Sequence, residues 1–195
     1  MQPQPTARER LLDAAEDLAA TQGVSGTPVD LILARARVSP ATLYAHFGNK
    51  EGLVTQALQR RLTRWDRTWQ ECIDQAHTPE DAVLAVFDAL GRYRRDAGPS
   101  RWCVFLGVTA ETPDRGPELD VVLSADTRLL STRLQELATP VVGAGAAGAA
   151  ADHLVLIYTG VLGMLLRGTD AESVIATGRS IAAATLHAFR AEGSA

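Results

Sequence analysis

Apolar residues recur three and four apart along most of this chain, with no run of strict alternation, so the pattern predicts helices and no strands. In 6–21, Leu11, Ala15, Leu18 and Ala19 share a face, and in 79–96 Val83, Val86, Phe87 and Leu90 do the same. In 117–137 the inward set is Leu119, Leu123, Leu130 and Leu134. Start signals mark the boundaries. Ser39-Pro40 and Asn49 are good first-turn chemistry, Thr78-Pro79-Glu80-Asp81 puts acids against the helix dipole, and Thr169 with Glu172 reads as a capping box. Ala97-Gly98-Pro99 and Thr112-Pro113 are stops. The resulting reading is about nine helices over 6–21, 28–36, 40–45, 49–75, 79–96, 101–111, 117–137, 150–167 and 170–190, with the low-complexity stretch 139–149 as a flexible turn. An all-α fold with short connections excludes an α/β enzyme architecture.

The stretch 27–53 carries the most chemistry. The helix after Ser39-Pro40 is too short to bury a face alone, yet Leu43 and Phe47, four apart, turn toward Val29, Ile32, Ala36 and Val38. Its other positions supply hydroxyl, phenol, imidazole and ammonium groups at Thr42, Tyr44, His46 and Lys50, a donor set suited to a sugar–phosphate backbone. A buried seam with a donor face opposite is what a recognition helix requires.

Thr27-Pro28-Val29-x-x-Ile32, then Ala36-Arg37-Val38-Ser39-Pro40-Ala41-Thr42-Leu43-Tyr44-Ala45-His46-Phe47-Gly48-Asn49-Lys50-Glu51, resembles the DNA-binding end of the TetR (tetracycline repressor) family of bacterial transcription regulators. Leu11-Leu12, Ala14-Ala15, Gly23 and Thr27 fit its first helix and exit. The resemblance covers about a quarter of the chain. It implies a helix–turn–helix head over 1–52 and a helical effector-binding and dimerising domain over 53–195. It places Thr27, Arg37, Ser39, Pro40, Ala41, Thr42, Tyr44, Ala45, His46 and Lys50 at double-stranded DNA, with Thr42, Tyr44, His46 and Lys50 on phosphates and Arg37 adding one, Ala41 and Ala45 near base edges or thymine methyls, and base readout at Pro40 and Ala41 mainly apolar. Two departures bear on the head. Leu33 stands where the family usually has alanine, and overpacking there costs on the order of 1–3 kcal/mol unless neighbours shrink. Arg37 stands where it usually has glycine, in a turn that favours positive φ.

The net charge of −4 argues against a nucleic-acid partner until it is divided along the chain: 1–64 carry +2 and 65–195 carry −6. Lys50 is the sole lysine among nineteen basic residues, which fits a compact donor at a phosphate. The opening MQPQPTARER lacks an apolar signal region, and no uninterrupted apolar run reaches membrane-spanning length, so the expectation is a cytoplasmic protein with no membrane partner. Cys72 and Cys103 are expected as buried free thiols.

The helix at 150–167 is apolar around most of its girth, with Gly160 and Gly163 allowing close approach. Alone it reads as a core helix. With the family resemblance, Leu156, Gly160 and Gly163, with Ile175, Gly178, Ile181, Ala182 and Leu186 of the next helix, become a homodimer interface. Trp65, Trp69, Tyr93, Trp102, Phe105 and Tyr158 read as core or as walls of a cavity for a hydrophobic or aromatic effector, with Cys103 and His153 as polar points. The four histidines are scattered, with no metal-ligand spacing, Ser–His–Asp cluster or phosphate loop, so neither a catalytic site, a metal nor a cofactor is expected. The reading is a repressor released from a palindromic operator by a small molecule. The alternatives are a small-molecule binder with a degenerate head and a ligand-independent DNA-binding protein.

Overall fold

Residues 4–96 and 103–192 are described by a computed structural model. Among them the elements are α1 (Ala7–Gln22), α2 (Val29–Ala36), α3 (Pro40–Phe47), α4 (Lys50–Asp74), α5 (Pro79–Asp96), α6 (Val104–Glu111), α7 (Pro117–Val142), α8 (Ala144–Leu166) and α9 (Ala171–Glu192). The all-α expectation holds. Trp102 and the stop signal at Ala97-Gly98-Pro99 lie outside the described residues.

Most helix starts are where capping chemistry puts them. Ser39 Oγ accepts the Thr42 N–H at 3.3 Å, Asn49 Oδ1 accepts that of Gly52 at 2.8 Å, and Thr78 Oγ1 accepts that of Asp81 at 3.0 Å. Thr6 and Glu9 form a reciprocal capping box that opens α1. That box holds the exposed Glu9 carboxyl below its ordinary range, chiefly through the Thr6 backbone N–H.

Two boundary expectations fail. The cap of α9 is Asp170, whose Oδ2 accepts the Ser173 N–H at 2.9 Å, not Thr169. The supposed turn at 139–149 is helical except for Gly143, at φ 83°: α7 runs on through Pro140 to Val142, and α8 begins at Ala144. Alanine is the strongest helix former, and here it outweighs the scattered glycines.

The chain forms two compact units. One unit comprises 1–63 with 100–126, and the other 64–99 with 127–195, so α4 and α7 each belong to both. In the first unit, α1 packs on α2, α3 and α6. Leu11, Leu18, Ile32, Leu43 and Leu53 are at most 2% exposed, and Val29 and Val38 close over this core. Burying each such side chain is worth about 1.5–3 kcal/mol, which is how two eight-residue helices become stable.

In the second unit, α9 packs on α8 and α5. Its inward stripe is Val174, Gly178, Ala182 and Leu186, all four residues apart and buried. A Cβ on Gly178 would lie 2.3 Å from Val161 Cγ2 and 3.1 Å from Phe87 Cε1, so the helices meet there at glycine distance. Arg179 faces Asp81 and Asp88 at 3.6 Å each, and Arg190 binds Glu80 at 2.9 Å, aligning α9 with α5. Helix α8 is long and apolar enough to cross a membrane by length and composition alone. Its Ala147, Leu154, Tyr158, Val161 and Leu165 are buried in the unit.

Replacing Gly178 by alanine is expected to destabilise the second unit by about 1–3 kcal/mol despite alanine's better helix propensity, because the buried Val161 and Phe87 would have to shift. Urea unfolding followed by circular dichroism checks this. An unchanged or raised midpoint would contradict the close contact.

Candidate nucleic-acid interface

Helix α3 is amphipathic in the required sense. Leu43 (0% exposed) and Phe47 (7%) hold it to the core, while Ala41, Tyr44, Ala45 and His46 face solvent, Tyr44 at 55% exposure. Pro40 is at the first helical position and Ser39 is the cap, both exposed. Thr42 is half-buried and its hydroxyl pairs with Ser39 Oγ at 2.9 Å. Arg37 closes α2 in the left-handed conformation, φ 54° and ψ 53°, its N–H directed to Leu33 and Ala34 carbonyls. The turn keeps the glycine geometry without a glycine, at a cost of about 1–2 kcal/mol, and leaves Arg37 exposed two residues before the α3 cap. Leu33 is seated in the core at 7% exposure. Both departures from the family pattern are therefore accommodated.

Two residues expected at DNA make bonds inside the head. Thr27 is 2% exposed and donates its hydroxyl to the Gly23 carbonyl at 2.5 Å, tying the α1–α2 loop to itself. Lys50 donates from Nζ to the Val24 carbonyl at 2.7 Å, and partial burial holds its ammonium below the usual lysine range, with Glu111 opposing the shift. Both residue types fit a phosphate site, and only the path of the 23–27 loop shows that they are already engaged.

Other residues that shape the head were not legible as such. Arg10 donates from Nε to the Ala36 carbonyl at 2.9 Å, completing the end of α2. Gly52 is required because a Cβ would lie 2.2 Å from the Phe47 carbonyl oxygen. Glu111 accepts the Ser25 N–H at 2.7 Å, and Glu51 accepts the Gly116 N–H at 3.2 and 3.3 Å. These are contacts between residues 65 to 86 apart in sequence, beyond any local pattern.

The expected effector residues separate into two groups. In the second unit, Trp65 lies 5.9 Å from Trp69, 5.7 Å from Tyr93 and 6.2 Å from Tyr158, ring centre to ring centre. The Arg133 guanidinium stacks 4.8 Å above Trp69 while pairing with Asp66 at 2.6 Å. Trp69 Nε1 and Arg133 Nη1 are buried without a hydrogen-bond acceptor among the described residues. His153 does not join them: it is exposed and meets Phe189 edge-on at 5.1 Å. Phe105 and Cys103 belong to the first unit. There burial pushes the Cys103 thiol up to about 11 and the Asp126 carboxyl up to about 6, with Arg61 opposing both shifts. Cys72 and Cys103 are free thiols, each partly buried.

The expected dimer residues also divide. Leu156 (71% exposed), Ile181 (50%), Gly160 and Gly163 are open to solvent, and Ile175 is half-buried. Gly178, Ala182 and Leu186 instead belong to the inward stripe of α9, because a four-residue spacing of small and apolar side chains serves the contact within the chain first. Met164 (42%) and Leu166 (50%) join the exposed apolar set.

Residues 11–57 match the family model described as bacterial regulatory proteins, tetR family. The chain is 31% identical over 83 residues to the HTH-type transcriptional regulator BetI of Brucella canis, covering 43% of this chain and 42% of that protein. It is 33% identical over 92 residues to the HTH-type transcriptional repressor Rv3405c of Mycobacterium tuberculosis, covering 45% and 46%. The matched region thus spans less than half the length of these relatives. The fold is similar to SCO4454, a TetR-family transcriptional regulator from Streptomyces coelicolor, with a TM-score of 0.85 and 27% identity over 94% of this chain and 96% of that one.

The raised Asp126 carboxyl sets a pH dependence. A native carboxyl near 6, against an ordinary 3.8, holds its proton more tightly than the unfolded chain does. Its contribution is present below about pH 4 and is lost as pH rises through 6. Relative to Asp126→Asn, the wild-type melting temperature is expected to fall between pH 4 and pH 7. A difference that is flat over this range would contradict the burial assigned to Asp126.

Proposed function

We propose, from the premise that this chain belongs to the TetR family of bacterial regulatory proteins, that it is a dimeric repressor that binds a palindromic DNA operator and releases it on binding a small molecule. The observation that carries the reading is α3: seated through Leu43 and Phe47, it presents Ala41, Tyr44, Ala45 and His46 outward. Tyr44, His46, Thr42 and the Arg37 guanidinium supply phosphate donors. Ala41 and Ala45 are small enough to bring the helix against base edges and thymine methyls. The seating of Leu33 and the left-handed cap at Arg37 favour a working head over a degenerate one.

Dimerisation through α8 and α9 accounts for the outward set Leu156, Gly160, Gly163, Met164 and Ile181. A Cβ on Gly160 or Gly163 would meet nothing within 4 Å, so the backbone of a second copy has room to approach. A self-complementary face of this kind suits two-fold symmetry, which a palindromic site mirrors. For the effector, the Trp65, Trp69, Tyr93 and Tyr158 cluster offers apolar walls, and Trp69 Nε1 and Arg133 Nη1 offer donors. These features suit an aromatic or hydrophobic molecule carrying an acceptor group. Its binding would act on the head through α4, which belongs to both units. The place of action is the cytoplasm, where the chromosome lies.

Selection of the full chain against random duplexes at moderate salt is expected to enrich a palindrome. Tyr44→Phe should weaken binding across sequences, and Arg37→Gly should lower the salt slope by about one while relieving the left-handed arginine. Absence of an enriched palindrome would overturn the reading.

Leu156→Glu should shift the chain to monomers in sedimentation, because it buries an unpaired charge twice per interface. A typical coupling of about 1–3 kcal/mol means an effector should weaken operator binding roughly 5- to 150-fold. A compound that quenches the tryptophans and leaves operator affinity untouched would count against effector control.

A further inference from the structure

We propose that Lys50 and Glu111 are positioning residues for operator recognition, holding the one peptide group between Val24 and Ser25 from its two ends. The carbonyl of that group, on Val24, accepts from Lys50 Nζ at 2.7 Å. Its N–H, on Ser25, donates to Glu111 Oε2 at 2.7 Å. A cation on the carbonyl and an anion on the amide each reinforce the peptide's own dipole, so the two bonds strengthen each other. Ser25 Oγ adds a bond to the Glu111 carbonyl at 3.3 Å.

The clamp joins elements remote in sequence. Lys50 opens α4, Glu111 closes α6, and the held peptide lies in the loop between α1 and α2. Beside it Glu51, the next residue of α4, accepts the Gly116 N–H directly before α7. Both carboxylates sit where only glycine leaves room. A Cβ on Gly23 would lie 2.3 Å from Glu111 Oε1, and one on Gly116 2.3 Å from Glu51 Oε1.

The consequence for DNA follows from the chain path. The held loop leads through Pro28 into α2, whose Ile32, Leu33 and Ala36 share with α1 the core in which Leu43 and Phe47 seat α3. A shift of the 24–25 peptide therefore displaces the recognition helix without removing any group that faces outward. Displacing α6 pulls on that peptide through Glu111, and displacing the start of α7 pulls through Glu51 on the first turn of α4, which carries Lys50. The proposal rests on the operator-binding reading above and assigns Lys50, whose residue type suits a phosphate, to a contact inside the protein.

The test uses full-length wild type, Lys50→Met, Glu111→Gln and the double variant on the duplex selected by the wild-type chain. Each single variant is expected to bind about tenfold more weakly with an unchanged salt slope. The double variant should be no weaker than the worse single, because both act on one peptide group. Without DNA, the Ser25 amide should exchange faster with solvent in Glu111→Gln, an isosteric change that spares the fold if Lys50→Met does not. A salt slope lowered by about one in Lys50→Met alone would mark a phosphate contact and overturn the proposal. Additive losses, or an unchanged Ser25 amide, would also overturn it. A wild-type chain that selects no duplex would defeat the operator reading itself, whereas binding that is indifferent to Glu111→Gln would defeat this inference alone.

Discussion

The head depends on the seating of an eight-residue helix that has no stability of its own. An isolated helix shorter than about 12–15 residues is marginal in water, so α3 persists because Leu43 and Phe47 are buried against α1 and α2. That single constraint fixes which residues face outward, since side chains three and four apart share a face. Once Leu43 and Phe47 are inside, Ala41, Tyr44, Ala45 and His46 are outside with no further choice. The head is in this sense a packing solution, and its surface chemistry follows from its core.

The second unit shows one helix pair with two unlike faces. Val174, Gly178, Ala182 and Leu186 turn inward toward the rest of the unit, and Ile181, with Leu156, Gly160 and Gly163 of α8, remains outside. A helix apolar all round is ordinarily buried all round. Here the inward stripe is covered within the chain, and the outward stripe stays exposed at the level of one protomer. The aromatic cluster around Trp65 lies in this same unit, where Arg133 is held between Trp69 and Asp66.

Much of this was legible in the sequence because it is local. The periodicity gave the helices, Ser39, Asn49 and Thr78 gave their starts, and the seam at Leu43 and Phe47 gave the head. What was not legible depends on contacts between distant residues. Thr27 and Lys50 have the chemistry of phosphate ligands, yet the Thr27 hydroxyl and one Lys50 N–H go to the Gly23 and Val24 carbonyls of the α1–α2 loop. Gly178, Ala182 and Leu186 have the composition of an interface between subunits, yet the contact they make lies within one. The stretch 139–149 reads as a flexible turn from its low complexity, but alanine's propensity carries the helix through all of it except Gly143. His153 has the chemistry of a polar point in a cavity, and the register of α8 turns it outward to Phe189.

The central claim is that α3 enters a major groove twice, once from each protomer. Hydroxyl-radical footprinting of the full chain on its selected duplex tests it most directly. The expected result is two equivalent protected patches on one face of the duplex, centred about 34–36 Å apart, both lost in Leu43→Asp, which unseats α3. A single protected patch, or protection that survives Leu43→Asp, would contradict it.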